Sequence, residues 1–170
     1  MTEHFESELS QGEPPLSSPS PERLRAWQLC LESMLRLRSV LDLELERDVG
    51  FPLRWYDVLI HLEETQEGMR MSELADRILT SKSGLTNVVD RMEEAGLIRR
   101  AQPKNDRRSF LVMLTDEGRE TMERARRYHR HSIEQHFASH LTEADVKALT
   151  RAFEKVNAHA RSLGPGRISN

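Results

Sequence analysis

The stretch from Lys82 to Gly118 has the fewest ways to fold. Leu85, Val88, Val89 and Met92 recur at helical spacing, which predicts a helix over about Lys82–Ala95 with one apolar face. Lys82, Ser83, Thr86, Asn87 and Arg91 fall on its other side. Gly96 marks the stop, and Leu97 supplies the apolar contact that often follows a glycine cap. Two short stretches that read as strands, 97–102 and 109–114, then flank Pro103-Lys104-Asn105-Asp106-Arg107-Arg108. Runs of that length around a Pro/Asn/Asp turn predict a β-hairpin, here with a basic tip. Thr115-Asp116-Glu117-Gly118 opens another helix, with Thr115 as cap and the two acids at the positive end of the helix dipole.

The flanking sequence is helical. From Pro21-Glu22 to about Val49, Leu24, Trp27, Leu31, Met34, Leu41 and Leu45 recur in three- and four-residue steps, and Gly50 and Pro52 follow. A helix of about 28 residues spans roughly 42 Å, more than one face of a small core can cover, which implies a partner chain. A second helix is expected over about Leu53–Thr65 with Trp55, Val58, Leu59 and Leu62 inward. A small strand is expected at 69–71, and then a helix capped by Ser72 with Leu74, Ala75, Ile78 and Leu79 on one face. After the hairpin, a helix is expected from Thr115 to about His140. The last begins at Leu141-Thr142-Glu143, with Val146, Leu149, Phe153, Val156 and Ala160 inward.

Charge is segregated. The formal charge of −3 and a pI of about 6.2 argue, as averages, against a nucleic-acid binder. Residues 1–21, however, hold Glu3, Glu6, Glu8 and Glu13 with no Lys or Arg, and are rich in Pro and Ser. This composition predicts a disordered acidic tail. Removing its four charges leaves the rest of the chain slightly positive. Within that remainder Arg99, Arg100, Lys104, Arg107 and Arg108 cluster around one acid, Asp106: a footprint for phosphates or a solvated charged turn. No run approaches the roughly 18 apolar residues of a membrane span, and the N-terminus lacks a secretory h-region. The lone Cys30 excludes an intrachain disulfide framework and fits a reducing cytosol, so a cytoplasmic protein is expected. With no phosphate loop, dinucleotide glycine fingerprint, HExxH or nucleophile elbow, the expectation is a non-enzyme without a cofactor.

Two short helices joined by a tight turn and followed by a basic hairpin make a winged helix-turn-helix. Its second helix enters the DNA major groove, and an arginine of its wing reads the neighbouring minor groove. The residues resemble the bacterial MarR (multiple antibiotic resistance regulator) family across about 22–163. The resemblance is carried by 71–75, by Ser81 through Arg100, by Asp106-Arg107-Arg108 and by Leu114-Thr115-Asp116-Glu117-Gly118. It implies a mainly α fold with a small β wing. A winged helix-turn-helix would occupy 53–114, dimerisation helices 22–49 and 115–163, and a frayed tail 164–170. It further implies a homodimeric repressor that binds a double-stranded, pseudo-palindromic operator and is released by a small-molecule effector, with no membrane contact. Carried over by residue, Arg108 matches the minor-groove arginine and Asp106 the acid that holds it. Lys82, Ser83, Thr86, Asn87, Arg91, Lys104 and Arg107 complete the expected DNA contacts. Asn87 departs from the arginine of many relatives, and asparagine pairs bidentately with adenine.

By the same resemblance an effector cleft for a small organic anion or aromatic is expected near Trp27, Trp55, Tyr56, Asp57 and Arg100. Asp57 and Arg100 resemble part of the urate-responsive set, whereas Val88 stands where one of its arginines is expected. The competing reading makes both tryptophans core or interface residues. Two other sensing sites are open to the same sequence. Cys30 lies on the first helix, about two residues from the register of the peroxide-sensing branch, or is a structural thiol. His136 and His140, four apart, suit one face of a zinc site or simply face solvent. A winged-helix protein-interaction module that does not bind DNA is the rival from another class.

Overall fold

A computed structural model describes residues 17–65, 67–78, 82–102 and 110–163. Helix α1 (Pro21–Val49) is followed by α2 (Leu53–Glu63), β1 (Met69–Arg70), α3 (Met71–Ile78), α4 (Lys82–Glu94), β2 (Ile98–Ala101), β3 (Leu111–Leu114), α5 (Asp116–His136), a 3-10 turn (Ala138–His140) and α6 (Glu143–Ser162). The chain divides between Arg36 and Leu37 into two units. In the first, α1 leaves Leu24, Trp27, Leu31 and Met34 exposed along one stripe, and Glu32 and Arg36 pair one turn apart.

The second unit holds the core. Leu59, Leu74, Val89, Met92, Val112, Met122 and Ala125 are fully buried, bringing α2 to α5 and the sheet around one centre. The sheet order is β1-β3-β2, all antiparallel, with Met69 opposite Val112 and Arg100 opposite the same residue from the other side. The expected small strand at 69–71 is therefore two residues long and adds a third strand to the hairpin.

Four expectations shift. Tyr56 is the fully buried aromatic of α2, while Trp55 stacks on Phe51, with ring centroids 5.9 Å apart, and packs half-buried against the core. Helix α3 starts at Met71, so Ser72 sits inside its first turn rather than capping it. Helix α5 ends at His136, because Phe137 leaves helical geometry (φ −132°, ψ −62°), and His140 lies on the separate 3-10 turn. Finally, α6 buries no residue within the chain: Val146, Phe153 and Val156 are exposed and Leu149 is half-buried.

Helix starts are fixed by side chains. The Asp42 carboxylate of α1 accepts from the Leu53 N–H at 2.6 Å, replacing the cap that Pro52 cannot provide. Thr142 and Asp145 form a reciprocal capping box on α6.

The tightest junction joins α4, β2 and α5. Gly96 adopts φ +74°, a conformation that favours glycine, and Leu97 N–H returns to Met92 O at 3.0 Å to close the end of α4. The Thr115 backbone N–H donates to Leu97 O (3.1 Å). Its hydroxyl donates to Gly96 O (2.7 Å) and accepts from the Gly118 N–H (2.9 Å). A Cβ on Gly118 would lie 1.9 Å from Leu97 O, so only glycine fits. Gly118→Ala is expected to destabilise the fold by about 3 kcal/mol, the upper range for forced overpacking, measured by urea unfolding. Wild-type stability would show that the approach can relax.

Helix α5 is also tied back to α1 and α2. Arg126 pairs with Glu63, and Glu44 accepts from His136 Nε2 at 2.9 Å. A hydrogen bond from buried Ser132, and then that from His136, hold the Glu44 carboxyl below its ordinary pKa. A depressed carboxyl stabilises the fold fully above its unfolded value, about 4.3, and ceases to do so as pH falls through the folded value. Glu44→Gln should therefore be less stable than wild type at pH 6, with the gap closing as unfolding is followed down to pH 3. A constant gap would mean that the charge is not the cause.

Candidate nucleic-acid interface

The α3–α4 pair and the sheet build the interface. Leu85, Val88, Val89 and Met92 anchor α4 in the core, so its opposite side is presented outward by the same periodicity. Ser83, Thr86, Asn87 and Arg91 are all exposed there. Lys82 is the first residue of α4, and no acid occupies that first turn, so the positive end of the helix dipole is uncompensated by α4 itself. Lys104, Asp106, Arg107 and Arg108 lie outside the described residues. The antiparallel β2–β3 ladder flanks them, with Arg99 exposed on β2.

Arg100 is turned the other way. Its guanidinium donates to Asp90 Oδ1 at 2.5 Å and to the Glu93 carboxylate, and its backbone N–H donates to Glu93 Oε1 at 2.8 Å. The side chain is 26% exposed. Burial works against its charge, but the hydrogen bonds to Asp90 and Glu93 raise its pKa overall.

Of the five residues expected near an effector cleft, the four in the second unit, Trp55, Tyr56, Asp57 and Arg100, do not line one cavity. Arg100 is engaged with α4, Trp55 is stacked on Phe51, and Trp27 belongs to the other unit, 61% exposed. Asp57 alone reaches a cavity of about 570 Å³, lined also by Arg38, Arg54, Val58, His61, Arg77 and Leu85. Arg38 pairs with Asp57 at 2.8 Å, and Arg77 pairs with Glu64 and Glu73. Arg54 has no ion pair among the described residues and is exposed. Three arginines from three helices have no shared period, so sequence reasoning missed them. Behind Asp57, the His129 ring packs on Tyr56 at 4.7 Å. Burial pushes the His129 pKa down, with Asp57 opposing and Arg38 adding to the shift.

The two histidines of the pair fall on different elements. His136 is bonded to Glu44 and His140 stands beyond the end of α5. Among the described residues no three His, Cys, Asp or Glu are grouped to hold an ion. Cys30 is a half-buried free thiol on α1. No described helix is long and apolar enough to cross a membrane.

Comparison with known proteins gives one answer. The MarR family model matches residues 49–109. The HTH-type transcriptional repressor IacR of Pseudomonas putida is 32% identical over 132 residues, covering 78% of this chain and 73% of that protein. The HTH-type transcriptional regulator PecS of Dickeya dadantii is 27% identical, covering 79% and 77%. The structure of AbsC, a MarR family transcriptional regulator from Streptomyces coelicolor, is 34% identical with a TM-score of 0.76, covering 86% of this chain and 99% of that one. Sco3205 from the same organism, solved in complex with DNA, is 31% identical with a TM-score of 0.78, covering 89% and 97%. A winged helix-turn-helix with these relatives is a transcriptional regulator rather than an enzyme, and the chain belongs to the MarR family.

Proposed function

We propose that the protein is a two-fold dimeric repressor that reads a pseudo-palindromic operator and releases it when a small organic anion binds. The observation that carries DNA reading is the two-sidedness of α4. Its apolar face is locked in the core, while Ser83, Thr86, Asn87 and Arg91 stand outward on a helix whose first turn holds no acid. Lys82 and Ser83 at the N-terminal end meet phosphates, Asn87 and Arg91 reach base edges, and Arg108, with Lys104 and Arg107, works from the wing while Asp106 orients it. That Sco3205 was solved with DNA and IacR is named a repressor supports this reading.

Dimerisation rests on unpartnered apolar surface. The exposed stripes of α1 (Leu24, Trp27, Leu31, Met34) and α6 (Val146, Phe153, Val156) are more than scattered surface residues, and a symmetric second copy would cover both. Duplexes selected by the purified protein from a random pool should then carry two inverted half-sites about 10 bp apart. On such a duplex Arg91→Ala and Arg108→Ala should each cost about 1–3 kcal/mol of binding, and Lys104→Ala should lower the salt slope by about one. A single unrepeated half-site, or unchanged affinity in both arginine variants, would overturn the reading.

The effector site is the arginine-lined cavity. Three arginines and one aspartate line it, and Val58 and Leu85 provide an apolar wall, which suits a ring bearing a carboxylate or phenolate. Binding there acts only if the ligand prefers the DNA-incompetent arrangement. Salicylate- and urate-like compounds should weaken operator binding in wild type but not in Arg54→Ala. Release by zinc that is lost in His136→Ala, or by peroxide that is lost in Cys30→Ser, would assign sensing elsewhere.

A further inference from the structure

We infer that Arg100 is a positioning residue for DNA recognition: it clamps β2 to α4 through Asp90 and Glu93 and so fixes the pitch of the reading helix on the wing sheet. The inference rests on the proposed reading of DNA by α4 and adds a residue that touches no DNA.

Three observations converge. Arg100 makes all three bonds described above to acids of one helix, from the strand that leads into the wing. Its fork thus spans two carboxylates three residues apart, a geometry that a point charge cannot reproduce. Asp90 lies one turn beyond Thr86 and Asn87 in the same exposed row, so the clamp grips the reading face at its edge. Arg91, between the two acids, remains exposed and outside the clamp. On the sheet side, Arg100 stands opposite Val112 in the β2–β3 ladder, and Val112 is fully buried. One end of the clamp is therefore anchored through the ladder to the core.

A reader with two points of contact gains from the second only if the distance between them is set before binding. A loose joint makes each contact at the expense of ordering entropy. Arg100 sets that distance at the place where α4 and the wing strands meet.

The acids give a test whose two explanations differ in sign. Glu93→Gln makes the protein more positive by one charge. If the Arg100 cluster acts only through phosphate attraction, this variant binds operator and random duplex more tightly. If Arg100 positions α4, the variant binds operator at least tenfold more weakly while its affinity for random duplex is unchanged or higher. Arg100→Lys keeps the charge and loses the fork, and should show the same drop in operator affinity with random-duplex affinity within twofold. Both are read by fluorescence anisotropy on selected and random duplexes at fixed salt, with folding checked by thermal unfolding. If one variant fails to fold, the other carries the test. Equal operator-to-random ratios in variant and wild type would overturn the positioning role. Failure of wild type to bind any duplex in a salt-dependent way would instead overturn the DNA reading itself.

Discussion

The close approach of Gly118 to the Leu97 carbonyl is the constraint on which the rest of the reading head depends. It lets the start of α5 lie against the end of α4, so that one threonine can serve both. Thr115 caps α5 through Gly118, reaches back to Gly96 and donates its backbone N–H to Leu97. A side chain at 118 would hold the two helices apart and leave the Gly96 and Leu97 carbonyls after α4 and the first amides of α5 without these partners. The Thr-x-x-Gly spacing is thus the sequence trace of a physical contact.

From that knot the geometry spreads in two directions. Toward the interface, α4 is set by its buried face and by the Arg100 bonds, which leaves its polar side outward. Toward the other end, α5 runs from Asp116 to His136 and is tied to α2 through Arg126–Glu63 and to α1 through Ser132, His136 and Glu44. The arginine-lined cavity lies among the middle of α1, α2, α3 and the first half of α4. In the proposed reading an anion there would sit beside Arg77, whose pairing with Glu64 joins α3 to α2. Competition for that arginine would act on the element directly ahead of the reading helix.

Much of this was legible because it is local. The helix of 82–94, the Gly96 stop, the hairpin strands and the Thr115 cap each follow from residues a few positions apart, and short-range spacing reports short-range structure. What failed was long-range or depended on rotation about a helix axis. Trp55 and Tyr56 are neighbours, and only the Phe51 stack and the packing of α5 decide which one is buried. Arg100 reads as one more cation in a basic cluster until Asp90 and Glu93 are placed under it. The cavity arginines at 38, 54 and 77 come from three helices, and nothing in their spacing marks them as a set. The apolar stripes of α1 and α6 were legible as stripes, but the single chain gives them no cover.

If the Gly118–Thr115–Leu97 knot holds the reading head together, it cannot open by itself. Native-state hydrogen exchange measures this directly, amide by amide. The amides of Leu97, Thr115 and Gly118 should exchange only through global unfolding, with the same opening free energy as buried core amides such as those of Leu59 and Met92. Exchange of these three amides through a local opening several kcal/mol less costly than global unfolding would contradict it, and would place the joint between α4 and α5 among the loose parts of the molecule.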